Sequence, residues 1–303
     1  MRFLRHGALF AALLLPLVAV VELVGNWMTA NEVPPMESFR PSADAIRKEH
    51  RDGDLVVFAP AWMTQTRVAL GEWMTFDDEV RSDTFDHPRI WELALEGRSS
   101  PETEGLPVLS RRELDRLTLT LYRNTSYRPA VWRAYDEVAA AKFSIALPEG
   151  EKPCPWDPSA KRHSCGPVIG EPWVWLGQQY LTDVGFMPRR CLWNHPTERG
   201  PLRTRFDEVP GGTKLTVHTG LAYAAYRDTN WESPVYLEVE IDGRSAGRIV
   251  HRGDVGWTTT VYDVPPGPER HSLAFVVTTP KQGMRHFCWD AAMRVEPAAE
   301  DVR

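Results

Sequence analysis

Val235-Tyr236-Leu237-Glu238-Val239-Glu240-Ile241-Asp242 is the stretch whose reading decides the fold. Val235, Leu237, Val239 and Ile241 fall on one side of an extended chain, and Tyr236, Glu238, Glu240 and Asp242 fall on the other. Successive side chains of a strand point to opposite faces, so this strand has one dry and one wet face. Asp242-Gly243 follows at once, a dipeptide favoured at the two positive-φ positions of a tight hairpin. A half-buried strand of this kind belongs to an antiparallel sheet packed on one side only.

Outward from this hairpin, further extended runs occupy residues 202–206, 214–219, 246–251, 257–264, 271–278 and 284–295. Pro265-Pro266-Gly267-Pro268 closes one of them after Val264. Short strands at this spacing predict an antiparallel β-sandwich of jelly-roll type over residues 191–297, with 298–303 as a tail. Residues 148–190 hold Pro148, Pro153, Pro155, Pro158, Pro167, Pro172 and Pro188 and little periodicity, which predicts an irregular connector.

A small α/β lobe is expected over residues 42–147. Ser42 or Asp44 caps a helix running to His50, and Asp52-Gly53-Asp54 turns the chain. Leu55 to Ala59 (LVVFA) is an unbroken apolar run before Pro60, the pattern of a strand buried on both faces in a parallel sheet. Residues 64–74 fit a helix, and 89–95 (RIWELAL) and 116–122 (RLTLTLY) fit strands. Val131, Trp132, Tyr135, Val138, Ala139 and Phe143 have near-helical spacing, which predicts a helix over 129–143.

Residues 31–41 carry Pro34, Pro35 and Pro41 and read as a stiff tether. Before it, residues 1–30 combine Arg2 and Arg5 with an apolar run over 7–24, interrupted by Pro16 and Glu22. This predicts a signal peptide or an uncleaved signal anchor. The basic flank keeps the N-terminus cytoplasmic and sends the remainder outward. The expected class is therefore α+β overall, with an N-terminal membrane anchor, an α/β lobe and a C-terminal sandwich. The expected location is the periplasmic side of the cell envelope, anchored in the inner membrane or secreted.

The chain has 303 residues and a net charge of −6, with 35 Lys and Arg against 41 Asp and Glu dispersed along it. Without a basic run to neutralise phosphates, nucleic acid is excluded as a partner. The cysteines are Cys154, Cys165, Cys191 and Cys288, and an even count in an exported chain predicts pairs 154–165 and 191–288. Cys191, His195, His286 and Cys288 could instead form a zinc set. Their spacings are not those of short zinc loops, so neither metal nor cofactor is expected.

No nucleophile elbow, zinc-protease helix, phosphate-cradling loop or EF-hand loop occurs. Glu238 and Glu240 share a strand face and could be taken for a glycosidase pair, but neighbouring carboxylates on a wet face are ordinarily solvated. Among the 12 tryptophans, Trp231 sits in a polar loop (RDTNWESP) and Trp257 follows Gly253-Asp254-Val255-Gly256. With Tyr226, Arg227 and Asp228 they form a candidate saccharide-binding rim, the rings stacking on sugar CH groups while polar groups bond hydroxyls.

Residues 44–60 (DAIRKEHRDGDLVVFAP), with RIWELAL and RLTLTLY, resemble the small extracytoplasmic α/β domain of multi-span lipid-linked-sugar glycosyltransferases. The catalytic membrane part of that family has no counterpart here, so no catalytic residue is carried over. Residues 191–295 are similar to galactose-binding-like jelly-roll modules in strand count and turn placement. Together the features predict a membrane-tethered extracytoplasmic binding or accessory protein of envelope glycan metabolism, without catalysis. Its expected ligand is a saccharide, and its expected partner a membrane glycosyltransferase or export machinery. Two alternatives stay open: a polysaccharide-acting enzyme on a sandwich platform, and a structural envelope protein with no small ligand.

Overall fold

The computed structural model describes residues 14, 16–27, 34–61, 63–70, 82–181, 184, 188–222, 233–252, 256–267 and 269–298. The chain forms two compact units, one from residues up to Met74 with Arg89–Thr125, the other from Thr75–Pro88 with Ser126–Arg303. Residues 16–27 are helical with exposed side chains, Leu17, Val21 and Leu23 among them. No helix among the described residues is long and apolar enough to cross a membrane. The basic flank, Arg2 and Arg5, and part of the apolar run expected to form the anchor lie outside the described residues.

In the first unit, helix α1 (Arg40–Glu49) leads to β1 (Leu55–Ala59), helix α2 (Thr64–Leu70), β2 (Arg89–Leu95), β3 (Val108–Leu114) and β4 (Leu117–Arg123). The sheet order is β1-β2-β4-β3, with β1 parallel to β2 and the other pairs antiparallel. The parallel pairing expected for LVVFA is present, and β2 is buried from Ile90 to Leu95. Phe39, Ile46, Val56, Phe58, Leu70, Trp91 and Leu119 fill its core. Asp54, buried at the start of β1, accepts from Arg89 Nε at 2.7 Å and Trp91 Nε1 at 2.9 Å, which satisfies a carboxylate that burial would otherwise penalise.

The second unit contains β5 (Ala130–Arg133), β6 (Lys142–Leu147), β7 (Gly150–Pro153), β8 (Trp156–Asp157), β9 (Arg162–Ser164), the short helix α3 (Gly166–Ile169), β10 (Trp175–Leu181) and β11 (Arg189–Asn194). They are followed by β12 (Leu202–Pro210), β13 (Lys214–Leu221), β14 (Val235–Ile241), β15 (Arg244–His251), β16 (Thr258–Asp263), β17 (Arg270–Thr278) and β18 (Phe287–Arg294). One sheet runs β16-β13-β18-β11-β10-β9-β8, with β5 also on β18; the other runs β15-β14-β17-β12-β6-β7. A single core fills the space between them, including Leu176, Leu192, Leu215, Leu237, Phe275 and Trp289. The sandwich is antiparallel, as expected for residues 191–297, but its sheets also take in β5 to β10, from residues 130–181 expected in the lobe and the connector.

Strand β14 alternates as its sequence requires: Val235, Leu237, Val239 and Ile241 are buried while Tyr236, Glu238 and Glu240 are half-buried. Asp242 and Gly243 both have positive φ, 51° and 72°, and close the two-residue hairpin to β15 with Ile241 opposite Arg244. Residues 129–143 are not the expected helix. Ala130–Arg133 pairs with β18, and a 3-10 turn at Val138–Ala140 leads into β6. Sheet partners satisfy that backbone, and the apolar positions do not share a face: Val138 is buried and Val131 exposed. The segment 148–190 carries β7 to β10 rather than irregular chain alone. Pro153 ends the edge strand β7, where a missing N–H costs no ladder bond.

Both predicted disulfides are formed, Cys154–Cys165 and Cys191–Cys288. The second bridges adjacent strands β11 and β18, and no Cys is left to bind zinc.

Candidate functional site

Strand β12 is paired with β6, Arg203 opposite Ser144 and Arg205 opposite Lys142. Leu202, Phe206, Phe143 and Ile145 point into the core, so the intervening Arg203, Arg205, Lys142 and Ser144 stand on the outer face. At the end of β7 the chain turns through Cys154 and Pro155 to Trp156, and the Cys154–Cys165 disulfide fixes that turn. The half-buried indole therefore stands beside a polar sheet face. Together these groups line a groove of about 750 Å³. Small-ligand sites typically enclose roughly 300–1,000 Å³.

Each charge in the groove has a partner. Arg203 donates to both carboxylate oxygens of Glu240, at 2.7 and 3.0 Å, reaching across β17. The Glu240 bond holds its guanidinium above the usual range. Asp207 receives Lys142 Nζ at 2.6 Å and the Arg205 side chain, and the Lys142 bond holds this carboxyl below the usual range. Ser144 donates to Glu151 on β7. Trp156 packs edge-to-face on His163, ring centroids 5.0 Å apart. The His163 ring is buried, with Nε2 2.9 Å from the Val138 carbonyl, and burial holds its pKa below the usual value. A neutral ring bonded to backbone supports the indole and supplies no base. The arrangement presents an indole, fixed donors and fixed acceptors, with no activated nucleophile.

The outer face of the other sheet carries an aromatic row. The Arg162 guanidinium lies 5.0 Å from the Trp175 ring, Trp175 stacks on Trp193 at 5.5 Å, and Trp193 meets His286 at 4.8 Å. His195 completes the row 5.3 Å from His286, and burial lowers its pKa to about 4. Trp175 and Trp193 stack face to face, while His286 lies tilted to Trp193 and His195 meets His286 edge-on, so the rings pack against one another along the sheet's surface. Two of the residues weighed as a zinc set, His195 and His286, thus pack against one another in this row, and among the described residues no group of three potential metal ligands occurs.

Further along the same face, Arg294 is fully buried. It donates to Asp86 at 2.8 Å, to Thr216 Oγ1 at 2.8 Å, to the Arg128 carbonyl at 2.7 Å, and to Asp83. His218 Nε2 is 3.0 Å from Asp83, and its Nδ1 is 2.9 Å from the Thr259 hydroxyl. Burial would raise the Asp83 carboxyl, but the His218 bond and the nearby His218, Arg294 and Arg189 side chains hold it well below its ordinary range. Burial pushes the His218 ring below its ordinary range. Hydroxyl, imidazole and carboxylate make up the composition of a catalytic triad, yet Asp83 is committed to Arg294 and Thr259 does not line the groove beside Trp156. Asp290, also buried here, is pushed up to about 7 by burial, against the pull of Arg133.

The rim expected from the sequence is reached only at Trp257. Its half-buried ring lies over Gly220 of β13, where a Cβ would come within 3.2 Å of it. Tyr226, Arg227, Asp228 and Trp231 lie outside the described residues. Glu238 and Glu240 are each held by an arginine, Arg248 at 3.1 Å and Arg203 at 2.7 Å, as solvated pairs. The groove beside Trp156 was not among the expected sites. Its only sequence signal is a tryptophan two residues after a cysteine in a proline-rich turn.

No family model matches the chain, and no curated protein does. Solved structures similar to part of it include the CBM51-2 and INT domains of Clostridium perfringens ZmpB, at 19% identity over 39% of this chain and 26% of that one, TM-score 0.30. The CBM51 of Clostridium perfringens GH95 in complex with methyl-galactose matches at 12% identity over 39% of this chain and 81% of that one, TM-score 0.29. The tandem CBM51 modules of the family 98 glycoside hydrolase Sp3GH98 from Streptococcus pneumoniae SP3-BS71 match at 11% identity over 60% of this chain and 56% of theirs, TM-score 0.34. The match spans about a quarter of the length of the first. With TM-scores below 0.5, these likenesses assign no ligand to this chain.

Proposed function

We propose that this protein is a non-catalytic saccharide-binding protein acting outside the cytoplasm. One observation carries the reading: the groove that sets the half-buried Trp156 beside paired donors and acceptors from β6, β7 and β12. Sugars offer apolar CH faces and hydroxyls that both donate and accept, and this lining matches both. Two disulfides fit an oxidising compartment. Exposed apolar side chains on the helical residues 16–27 support a tether in the membrane. The resemblance of residues 44–60 to the appended glycosyltransferase domain supports a membrane glycosyltransferase or export machinery as partner. The rim of Tyr226, Arg227, Asp228, Trp231 and Trp257 is a second proposed contact for a longer glycan.

Calorimetric titration of the full chain with an oligosaccharide panel tests the groove. Trp156→Ala should weaken binding at least tenfold, about 1.4 kcal/mol, with the fold retained by circular dichroism. Absence of binding to every member at millimolar concentration, or turnover of a polysaccharide, would overturn the proposal.

A further inference from the structure

We infer that the groove selects uncharged saccharides and rejects acidic ones; this rests on the reading just given. Cationic residues at a binding groove ordinarily invite a carboxylate or sulfate, and Lys142, Arg203 and Arg205 all line this one. Here each is already matched. Three cations (Lys142, Arg203, Arg205) are balanced by three carboxylates (Glu151, Asp207, Glu240) within or bonded to the lining.

The pairing is specific in its geometry. Both terminal nitrogens of Arg203 are spent on Glu240 in a two-pronged bond. Asp207 holds two cations at once, from Lys142 and Arg205, which lie opposite one another across β6 and β12. Glu151, on the exposed edge strand β7, places a further negative charge on the groove wall. An incoming carboxylate would have to displace an internal one and would face the remaining two. A hydroxyl meets no such opposition, because it donates to a carboxylate and accepts from a guanidinium or ammonium without separating either pair. The carboxylates are thus specificity-determining residues.

The test compares trisaccharides of galactose, glucose and mannose with trisaccharides of galacturonic, glucuronic and mannuronic acid, titrated into the full chain at low and high salt. At least one neutral trisaccharide should bind at least tenfold more tightly than its uronate counterpart, most clearly at low salt where repulsion is least screened. Asp207→Asn frees Lys142 and Arg205 and should raise the ratio of uronate to neutral affinity about tenfold. Glu151→Gln, on the exposed edge strand, should move the preference the same way without any risk to the core. Uronate binding equal to or tighter than neutral binding in the wild type, or no change in preference in either variant, overturns the inference and leaves saccharide binding intact. Failure of all six trisaccharides to bind the wild type overturns both.

Discussion

Replacing Asp290 by Asn isolates the cost of burying a carboxylate on the outer face of the first sheet, beneath the Arg133–Tyr135 segment. Asp290 is 8% exposed on β18 and accepts the Tyr135 N–H at 3.0 Å, with Arg133 nearby. Burial raises its pKa from 3.8 to about 7. The folded protein therefore holds this proton more tightly than the unfolded chain does. The resulting contribution to stability is complete below pH 3.8 and is lost as pH rises through about 7. At about 1.4 kcal/mol per pH unit, the raised pKa costs about 4 kcal/mol at pH 8, where the folded group is ionised, and about 1–2 kcal/mol at pH 5, where only the unfolded chain's group is ionised. Asn keeps an acceptor for Tyr135 and never ionises. Its amide hydrogens bring a cost of about 1–3 kcal/mol if left unbonded, and that cost is the same at every pH. The difference in stability between Asp290→Asn and wild type should therefore shift in favour of the variant by about 2–3 kcal/mol between pH 5 and pH 8. Urea denaturation at a series of pH values, with disulfides intact, measures this slope. A difference independent of pH would refute the burial argument, whatever its absolute size.

Other consequences follow from single contacts. Cys288→Ser should leave one reactive thiol at Cys191 and cost up to roughly 4–5 kcal/mol, because the bridge closes a separation of 97 residues; thiol labelling and melting curves measure both. Gly243→Ala should cost about 1 kcal/mol from backbone strain alone, since φ is +72° and no atom lies within 4 Å of the added Cβ; equilibrium unfolding checks it. Gly220→Ala puts a Cβ 2.7 Å from Val184 and 3.2 Å from Trp257, so it should displace that ring and cost roughly 1–3 kcal/mol, visible in unfolding and in tryptophan fluorescence. A C-terminal reporter fused to the whole chain should be active outside the cytoplasm and sediment with membranes, and recovery of the full-length fusion in the cytosol would contradict export.

What could be read from the sequence was whatever one strand or one turn contains within itself. The alternation of β14 and the Asp242-Gly243 turn needed no knowledge of their neighbours, because burial of one face and positive φ at two residues are local demands. The disulfides were legible from an even count, and the closeness of β11 and β18 agrees. Residues 129–143 misled because Trp132 and Phe143 have helical spacing yet reach the core from β5 and β6, two separate strands. Strands as short as Trp156–Asp157 hold too few residues to show any period at all. The groove was illegible for a third reason. Lys142, Glu151 and Arg203 are brought together only by the register of β6 with β7 and β12, which no single segment encodes.

The two outer faces treat charge in opposite ways, and the contrast bears on where a ligand can bind. On the first sheet Arg294 is fully buried and bonded to Asp83, Asp86, Thr216 and the Arg128 carbonyl, so any competing ligand would have to strand a desolvated charge. Breaking one partner of a buried pair costs about 3–5 kcal/mol, more than a few sugar hydroxyls return. On the second sheet Lys142 and Arg205 are 75% and 52% exposed, and pairs in such positions are worth only about 0–1 kcal/mol. Their bonds to water can be exchanged for bonds to hydroxyls at little cost, while the carboxylates keep the side chains in place. A polar face is therefore available to a ligand where its charges are matched but still wet, and beside Trp156 that condition meets an aromatic wall.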